Sequence, residues 1–400
     1  MSALFFASLG HALMHMLTAM FFVLVLALET GWGQPYAQLL PLWTAGTLAV
    51  GVCALPAGWL ADRWNAPGML VVMFCGMGIA CMLCASAGDG RIMGLGLTLL
   101  GAFAAIYHPV GIPWLVRSAR AERRGLVLGA NGVFGALGVA ASGGAVAVLV
   151  ERWGWQAAFI VPGAISLLAG ASMGAMLLFG RLPVEPSTRP LTQAHGTQNE
   201  GPTAWRPLAA LLVAMFALGF IYQASQAVFP KIFAERVTDP EAAATAAGWW
   251  VTVVYGAAGI MQLAGGWLAD RMPLRPLYAA AALLQLPLLL LLASLVGLPL
   301  VVAATAAVVV SAGAMPAENM LLAQHAPPRR HGLFFGLKFV LAFGSAPLAV
   351  AVAAAVVRWQ GSPAPLFFGL AALALVATLA AFTLPSPGAQ SSARAAVLAT

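Results

Sequence analysis

GWLADR, residues 58–63, recurs as residues 266–271, 208 positions later in a chain of 400 residues. Each copy stands at the end of a long apolar run, where an acidic and a basic residue mark a turn. A charged turn duplicated at about half the chain length indicates two homologous halves. Internal repeats of this kind are typical of secondary transporters, whose solute site lies between the halves.

The composition predicts a membrane protein. The chain is 62% hydrophobic and 8% charged, whereas a soluble domain has about 25% charged residues. The net charge of +7 does not predict a nucleic-acid partner, because the basic residues form no dense patch and fall mostly in short loops. Cys81 and Cys84 form a CxxC pair inside an apolar segment. Without a second ligand pair they predict packing residues rather than a zinc or redox site.

Twelve segments reach the roughly 20 apolar residues that cross a bilayer. They are about residues 5–28, 38–59, 67–86, 92–116, 125–149, 155–180, 207–231, 244–268, 276–296, 299–322, 332–357 and 364–384. The polar stretch 181–206 separates six spans from six and has the composition of a flexible linker. The sequence therefore predicts an all-α integral membrane protein of two pseudo-symmetric six-helix bundles, at 1–180 and 207–384, with a tail at 385–400.

The basic residues predict how the chain is oriented. Thirteen arginines fall on the side of the predicted membrane that holds the N-terminus, and five lysine and arginine residues fall on the other. Because lysine and arginine accumulate in cytoplasmic loops, both termini are predicted to be cytoplasmic. A bacterial inner membrane is the expected location.

The repeat extends beyond the charged turn. At an offset of 207, Pro109 corresponds to Pro316, and GLVLGAN at 125–131 corresponds to GLFFGLK at 332–338. A proline inside a helix removes one ladder bond and strains the preceding turn. Pro109 and Pro316 therefore predict bent helices in spans 4 and 10.

Twelve spans in two halves, with GxLADR after spans 2 and 8, resemble the major facilitator superfamily. The resemblance implies that the motif glycine lets two helices approach and that its aspartate caps or pairs across a helix end. It also implies that the arginine joins a charge network latching one conformation, and that the protein is a monomer. The residues matching these roles are Gly58, Asp62 and Arg63 in the first copy, and Gly266, Asp270 and Arg271 in the second.

Three further stretches carry a narrower resemblance. LGHALMHM at 9–16, AAIYHPVG at 104–111 and LLAQHAPPRRHG at 321–332 look similar to the fosmidomycin-resistance-type branch, whose members are proton-driven exporters. That branch often has His-x-x-x-Asp in span 1. Here His11 matches, whereas His15 stands at the aspartate position.

Polar residues inside the spans are the candidate functional groups. A charged side chain at the centre of a span costs about 2.5–3.5 kcal/mol on insertion scales, so it normally faces a cavity or a partner. The candidates for a substrate or proton cavity are His11, His15, His108, Asn131, Tyr222, Gln223, Gln226, Glu318, Asn319 and Lys338. Tyr222, Gln223 and Gln226 lie toward the outer half of span 7, where they either hydrogen-bond a polar solute or join helices.

Glu318 and Lys338 are expected at one depth on consecutive helices, which predicts a buried ion pair. The pair is either static or made and broken with substrate or proton. His11 and His15 share a helix face at i and i+4 and are of a type that titrates near neutral pH. Two histidines without a nearby carboxylate fill too few coordination positions, so no metal is predicted.

The leading functional hypothesis is a secondary transporter of a small organic solute, coupled to protons and working by alternating access. No nucleotide-binding GxxxxGK[ST] and no HExxH motif is present in the sequence, so neither a cofactor nor an enzyme is predicted. Export of drugs or antibiotics by antiport, suggested by the branch, and uptake of a metabolite anion by symport, suggested by Lys338, remain open. A membrane sensor that binds solute without transporting it is a further alternative.

Overall fold

A computed structural model describes residues 2–61, 63–120, 123–182, 205–239, 243–327 and 331–385. Across these ranges the chain forms twelve apolar helices and no strand, which confirms the predicted fold class. The helices are α1 Ser2–Trp32, α2 Tyr36–Ala61, α3 Ala66–Ala85, α4 Gly90–Ser118, α5 Arg124–Trp153, α6 Ala157–Leu178, α7 Trp205–Arg236, α8 Ala243–Ala269, α9 Leu274–Ser294, α10 Gly297–His325, α11 His331–Gln360 and α12 Leu366–Phe382. Most of the predicted linker and tail, residues 183–204 and 386–400, lies outside the described residues.

Long helices form here because lipid offers the backbone no hydrogen-bond partner, so each segment satisfies its own N–H and C=O groups. The polar residues at the helix ends complete this pattern. The Asn65 side chain accepts a bond from Gly68 N–H, 2.6 Å away, at the start of α3. Asp89, before α4, accepts from Ile92 and Arg91, and these backbone bonds hold the pKa of the Asp89 carboxyl below its usual range.

The two equivalent prolines have different local structures. Pro109 lies in a π-helical segment, Tyr107–Gly111, that interrupts α4 between α-helical stretches at Gly90–Ala104 and Ile112–Ser118. Pro316 lies inside α10, which is continuous from Gly297 to His325. Single-turn π-helical segments in helices often occur at functional sites, which directs attention to the residue before Pro109.

Small residues let the helices of the first half pack closely. Gly138 of α5 meets the backbone of Ala12 of α1, where a side chain would collide. A Cβ added to Gly163 of α6 would lie 2.7 Å from Cys81 Cβ of α3. Because lipid-immersed helices associate by close packing of small residues, these contacts fix α1 against α5 and α3 against α6.

The halves meet chiefly along α5 with α8 and α2 with α11, and α1 also contacts α7 and α8. Gly143 and Gly248 bring the backbones of α5 and α8 together, and a Cβ on Gly259 would lie 3.1 Å from Ala136 Cβ further along. We call the side holding Ser2 the terminal side and the side holding the end of α1 the far side. The Gly143–Gly248 contact lies toward the far side, whereas a Cβ on Gly266, near the motif on the terminal side, would meet no described atom within 4 Å.

Two further bonds join the halves on the far side. Glu29 of α1 and Lys231 of α7 form an ion pair at 2.9 Å. Tyr36, at the start of α2, donates its backbone N–H to Glu29 at 3.0 Å and its hydroxyl to Ala227 O at 2.8 Å. α1, α2 and α7 are thus tied together where the first half meets the second.

Candidate functional site

Three histidines of the first half come together, and they are called the histidine cluster here: His11, His15 and His108. Their potential ligand atoms all lie within 4.8 Å of one another. The ring centroids of His11 and His15 are 4.9 Å apart, and each lies 5.5 Å from the centroid of His108. The two residues of α1 meet because they are one helical turn apart, and His108 reaches them from the π-helical segment of α4.

His11 is held on three sides. Its Nδ1–H donates to Asn131 O of α5 at 2.8 Å. Its ring stacks on Tyr107, with centroids 4.7 Å apart and planes 16° apart. Gly135 provides the space, since a Cβ there would lie 2.6 Å from His11 Nε2. His11 is only 8% exposed, so its ring orientation is set by the fold.

Asn131 and Tyr107 form the polar support behind His11. The Asn131 amide donates to the Tyr107 hydroxyl at 2.8 Å, and that hydroxyl donates to Ala7 O at 2.8 Å. Asn131 is 2% exposed. A buried amide with bonds of this kind orients its neighbours, so Asn131 contributes to the site through His11 and Tyr107.

In the second half, Lys338 Nζ lies 2.8 Å from Glu318 Oε1, with side chains 12% and 13% exposed. Lys338 also donates to Asn319 Oδ1 at 2.5 Å. The Tyr278 hydroxyl of α9 donates to the other carboxylate oxygen of Glu318 at 2.9 Å. These four residues, Tyr278, Glu318, Asn319 and Lys338, are called the lysine–carboxylate group. Each charge has a second polar partner, which is what makes a buried pair tolerable.

The predicted polar residues of α7 are less engaged. Tyr222 packs edge-to-face on Tyr255 of α8, with centroids 6.0 Å apart. Gln223 and Gln226 are half-buried and make no hydrogen bond to another described residue. Their amides are available to a solute, but the structure does not join them to either polar group.

One contact links the two halves at the histidine cluster. The ring of Phe343, on α11, lies 5.3 Å from the ring of His108. A Cβ on Gly51 of α2 would lie 3.9–4.0 Å from atoms of Phe343 and Gly344 on α11. The histidine cluster therefore lies where the first half faces the second. Phe343, which contacts it from the second half, is five residues after Lys338 on α11.

Comparison with known proteins identifies the family. The Major Facilitator Superfamily model matches residues 4–239 and again 211–398, so it covers nearly the whole chain in two passes. The chain belongs to the major facilitator superfamily. It is a transporter-family membrane protein and not an enzyme, as the sequence predicted.

Relatives within the superfamily agree on the fold. Solved structures include a bacterial homologue of the human lysosomal transporter Spinster, inward-facing and occupied, at 13% identity and a TM-score of 0.72, covering 95% of this chain and 93% of that one. A peptide transporter in complex with alafosfalin matches at 16% identity and a TM-score of 0.76, covering 95% and 92%. Identities this low establish the fold alone.

A curated relative is the probable sulfoacetate transporter SauU of Cupriavidus necator. It is 29% identical over 135 residues, which are 34% of this chain and 31% of that protein. The match thus spans about a third of the relative's length. It supports a superfamily transporter without fixing the substrate.

The motif residues of the superfamily lie at the terminal side, after α2 and α8. Arg63 and Arg271 each stack on the tryptophan four residues earlier, with the guanidinium 3.9 and 4.4 Å from the ring. Asp270 is exposed, and Asp62 lies outside the described residues. A Cβ on Gly58 would lie 3.4 Å from Pro109 Cβ. In this conformation the two arginines contact their own helices, so a latch across the halves stays a prediction.

Several residues that bond to the predicted groups were not predicted from the sequence. Tyr107 and Tyr278 bond to predicted residues, but a tyrosine in an apolar run gives no signal distinguishing it from a packing aromatic. Tyr278 also lies on α9, a helix on which the sequence predicted no candidate residue. Glu29 and Lys231 could have been noticed in the sequence, because both are charged residues close to the ends of predicted spans. Their pairing could not be predicted, because they are 202 positions apart.

Proposed function

We propose that this protein carries a small organic anion across a bacterial inner membrane by alternating access, coupled to protons. The observation that carries the proposal is the lysine–carboxylate group, a buried cation whose charge is neutralised by a buried acid at 2.8 Å. The bundles at 1–180 and 207–384 would rock as units about the α5–α8 and α2–α11 contacts. The segment 181–206 would link them.

The charges of Glu318 and Lys338 would couple proton binding to anion binding. While Glu318 is ionised, Lys338 is neutralised and presents little attraction to an anion. Protonation of Glu318 removes that partner and leaves the ammonium held by Asn319. An unpaired cation in a low-dielectric site attracts an anion strongly. Binding of one proton and one anionic group therefore keeps the group close to neutral, which favours symport of the two.

The substrate class follows from that cation. An ammonium binds a carboxylate, a sulfonate or a phosphonate as a point charge. The partial match to a probable sulfoacetate transporter supports the first two groups, since sulfoacetate carries both. Tyr222, Gln223 and Gln226 would supply neutral hydrogen bonds to the rest of the solute.

Drug or antibiotic efflux is the second candidate. It is favoured by the resemblance of residues 9–16, 104–111 and 321–332 to the fosmidomycin-resistance-type branch, and it would make Glu318 and Lys338 a structural pair. Cytoplasmic termini, which the arginine distribution favours, and a monomeric state belong to either proposal.

A ligand screen by thermal shift on the purified full-length protein separates the two candidates. A binder raises the unfolding temperature in proportion to its occupancy. We expect sulfoacetate or another small carboxylate or sulfonate to stabilise the protein, and more strongly at the lower of two pH values, because protonation of Glu318 would leave Lys338 to bind the anion. Lys338→Ala should abolish the shift.

The control is Arg152→Ala, which removes an exposed cation at the end of α5. It should keep the full ligand-induced shift. Stabilisation only by apolar cations or antibiotics, unchanged in Lys338→Ala, would overturn the anion proposal and favour efflux.

A further inference from the structure

The function proposed for the lysine–carboxylate group gives the histidine cluster no role, although the three histidines lie close together. Its ligand atoms lie within 4.8 Å of one another. Zinc–nitrogen bonds of 2.0–2.1 Å in a tetrahedral site place nitrogens about 3.3 Å apart. The present spacing exceeds that value by at most about 1.5 Å, so metal binding requires the histidine side chains to rotate toward one another.

One of the three ligands is already oriented. His11 donates Nδ1–H to Asn131 O at 2.8 Å, which leaves the Nε2 lone pair for another partner. Metal-binding histidines almost always donate their second ring nitrogen to a carbonyl, carboxylate or water, which fixes the tautomer. The stack on Tyr107 and the space left by Gly135 hold the ring plane.

His15 and His108 would supply the second and third ligands of a tetrahedral site. His15 lies one turn from His11 on α1, and His108 arrives from the π-helical segment of α4. The described part of the chain adds no carboxylate or thiol to this group. Three neutral imidazoles leave a fourth position open, as in zinc sites that bind water or substrate. The Phe343 contact puts that group at the boundary between the halves.

We propose that His11, His15 and His108 bind one first-row divalent transition-metal ion, with one coordination position left open. Imidazole ligands suit zinc, nickel, cobalt and copper. Because the ligands are neutral, the ion keeps its double positive charge and favours an anionic or water-derived fourth ligand. The site lies in the first half and is independent of Glu318 and Lys338.

The test is metal binding to the purified, tag-free full-length protein in detergent. Zn²⁺ is measured by equilibrium dialysis, and Co²⁺ by the visible absorption that a tetrahedral site intensifies. We expect one saturable ion per chain. His15→Gln and His108→Gln should each weaken binding at least about tenfold, the lower end of the loss seen for supporting groups alone.

The matched control is His325→Gln. That histidine lies on α10, and its Nδ1 bonds Leu321 O, away from the cluster. It should bind as the unaltered protein does. Gel filtration and thermal unfolding without metal establish that each variant is folded. Absence of saturable binding in the unaltered protein, or equal binding by all three folded variants, would overturn the proposal.

Discussion

At the scale of single residues, the charged side chains of the lysine–carboxylate group have partners that set their orientation. Glu318 receives bonds from Lys338 and Tyr278, one to each carboxylate oxygen. An isolated charge in the membrane is expensive, so each charge of this pair depends on the other and on its hydrogen-bond partners. Removing the charge of Glu318 would therefore change the group strongly.

Replacing Glu318 by Gln keeps the shape and removes the titrating proton. We expect uptake driven by a pH gradient in proteoliposomes to be abolished, because Lys338 can no longer be released and recaptured. Sulfoacetate is the probe. Glu151→Gln, the same change at an exposed site on α5, should retain uptake. Normal pH-driven uptake by a folded Glu318→Gln protein would remove Glu318 from the coupling mechanism.

At the scale of elements, one turn of α5 is completed by a side chain of α8, in the other half. Gly144 N–H of α5 donates to Thr252 Oγ1 of α8 at 2.7 Å, and that hydroxyl donates to Ala140 O at 2.7 Å. In an uninterrupted turn Gly144 N–H would bond Ala140 O directly. Insertion of a side chain into this ladder is a recognised cause of helix bending. The shape of α5 is thus coupled to the position of α8.

Thr252→Val replaces the bridging hydroxyl by a methyl of similar size. We expect the unfolding temperature to fall, with a loss of about 1 kcal/mol, the usual size of an interhelical hydrogen bond in membranes. Faster amide exchange around residue 144 should accompany it. Thr252→Ser keeps the hydroxyl and should behave like the unaltered protein. Equal stability of the two variants would mean that the inserted bond contributes nothing.

At the scale of the whole molecule, side-chain bonds join the halves on the far side. Glu29–Lys231 and the Tyr36 bonds close the far side. Toward the terminal side, a Cβ on Gly132 or Gly266 meets no described atom within 4 Å. Under the alternating-access cycle proposed above, the opposite arrangement also forms, and the far-side bonds would then break.

Glu29→Gln should shift the molecule toward a far-side-open state. The amide still accepts from Tyr36 N–H but loses the charge attraction to Lys231, a partly exposed pair worth about 1 kcal/mol, or roughly a fivefold change in population. Spin labels at positions 153 and 296, replacing exposed Trp153 and Val296 in a background without the native cysteines, measure the far-side separation. We expect a longer-distance population to grow.

Glu151→Gln is again the control, since it removes an exposed carboxylate on the same side. Its distance distribution should match that of the labelled parent. An unchanged distribution in Glu29→Gln would show that the packing of α5 on α8 closes the far side without help from the ion pair.

The sequence by itself determined the number, order and limits of the helices. Each of the twelve predicted spans corresponds to one helix, with ends differing by at most five residues, as at 231 against Arg236. The reason is local: a backbone in lipid must bond within its own segment, so an apolar run of sufficient length decides its own structure. The duplicated GWLADR predicted that the chain consists of two related halves.

Only the tertiary structure decided which polar side chains meet. His108, in the π-helical segment of α4, meets His11 and His15 of α1, and Tyr278 reaches Glu318 from α9, where the sequence predicted no candidate residue. These helices are apolar over most of their surface, so hydrophobicity alone does not set their rotation. Close contacts of small residues set it instead, as at Gly138 and Gly163, and such contacts depend on the shapes of both helices at once.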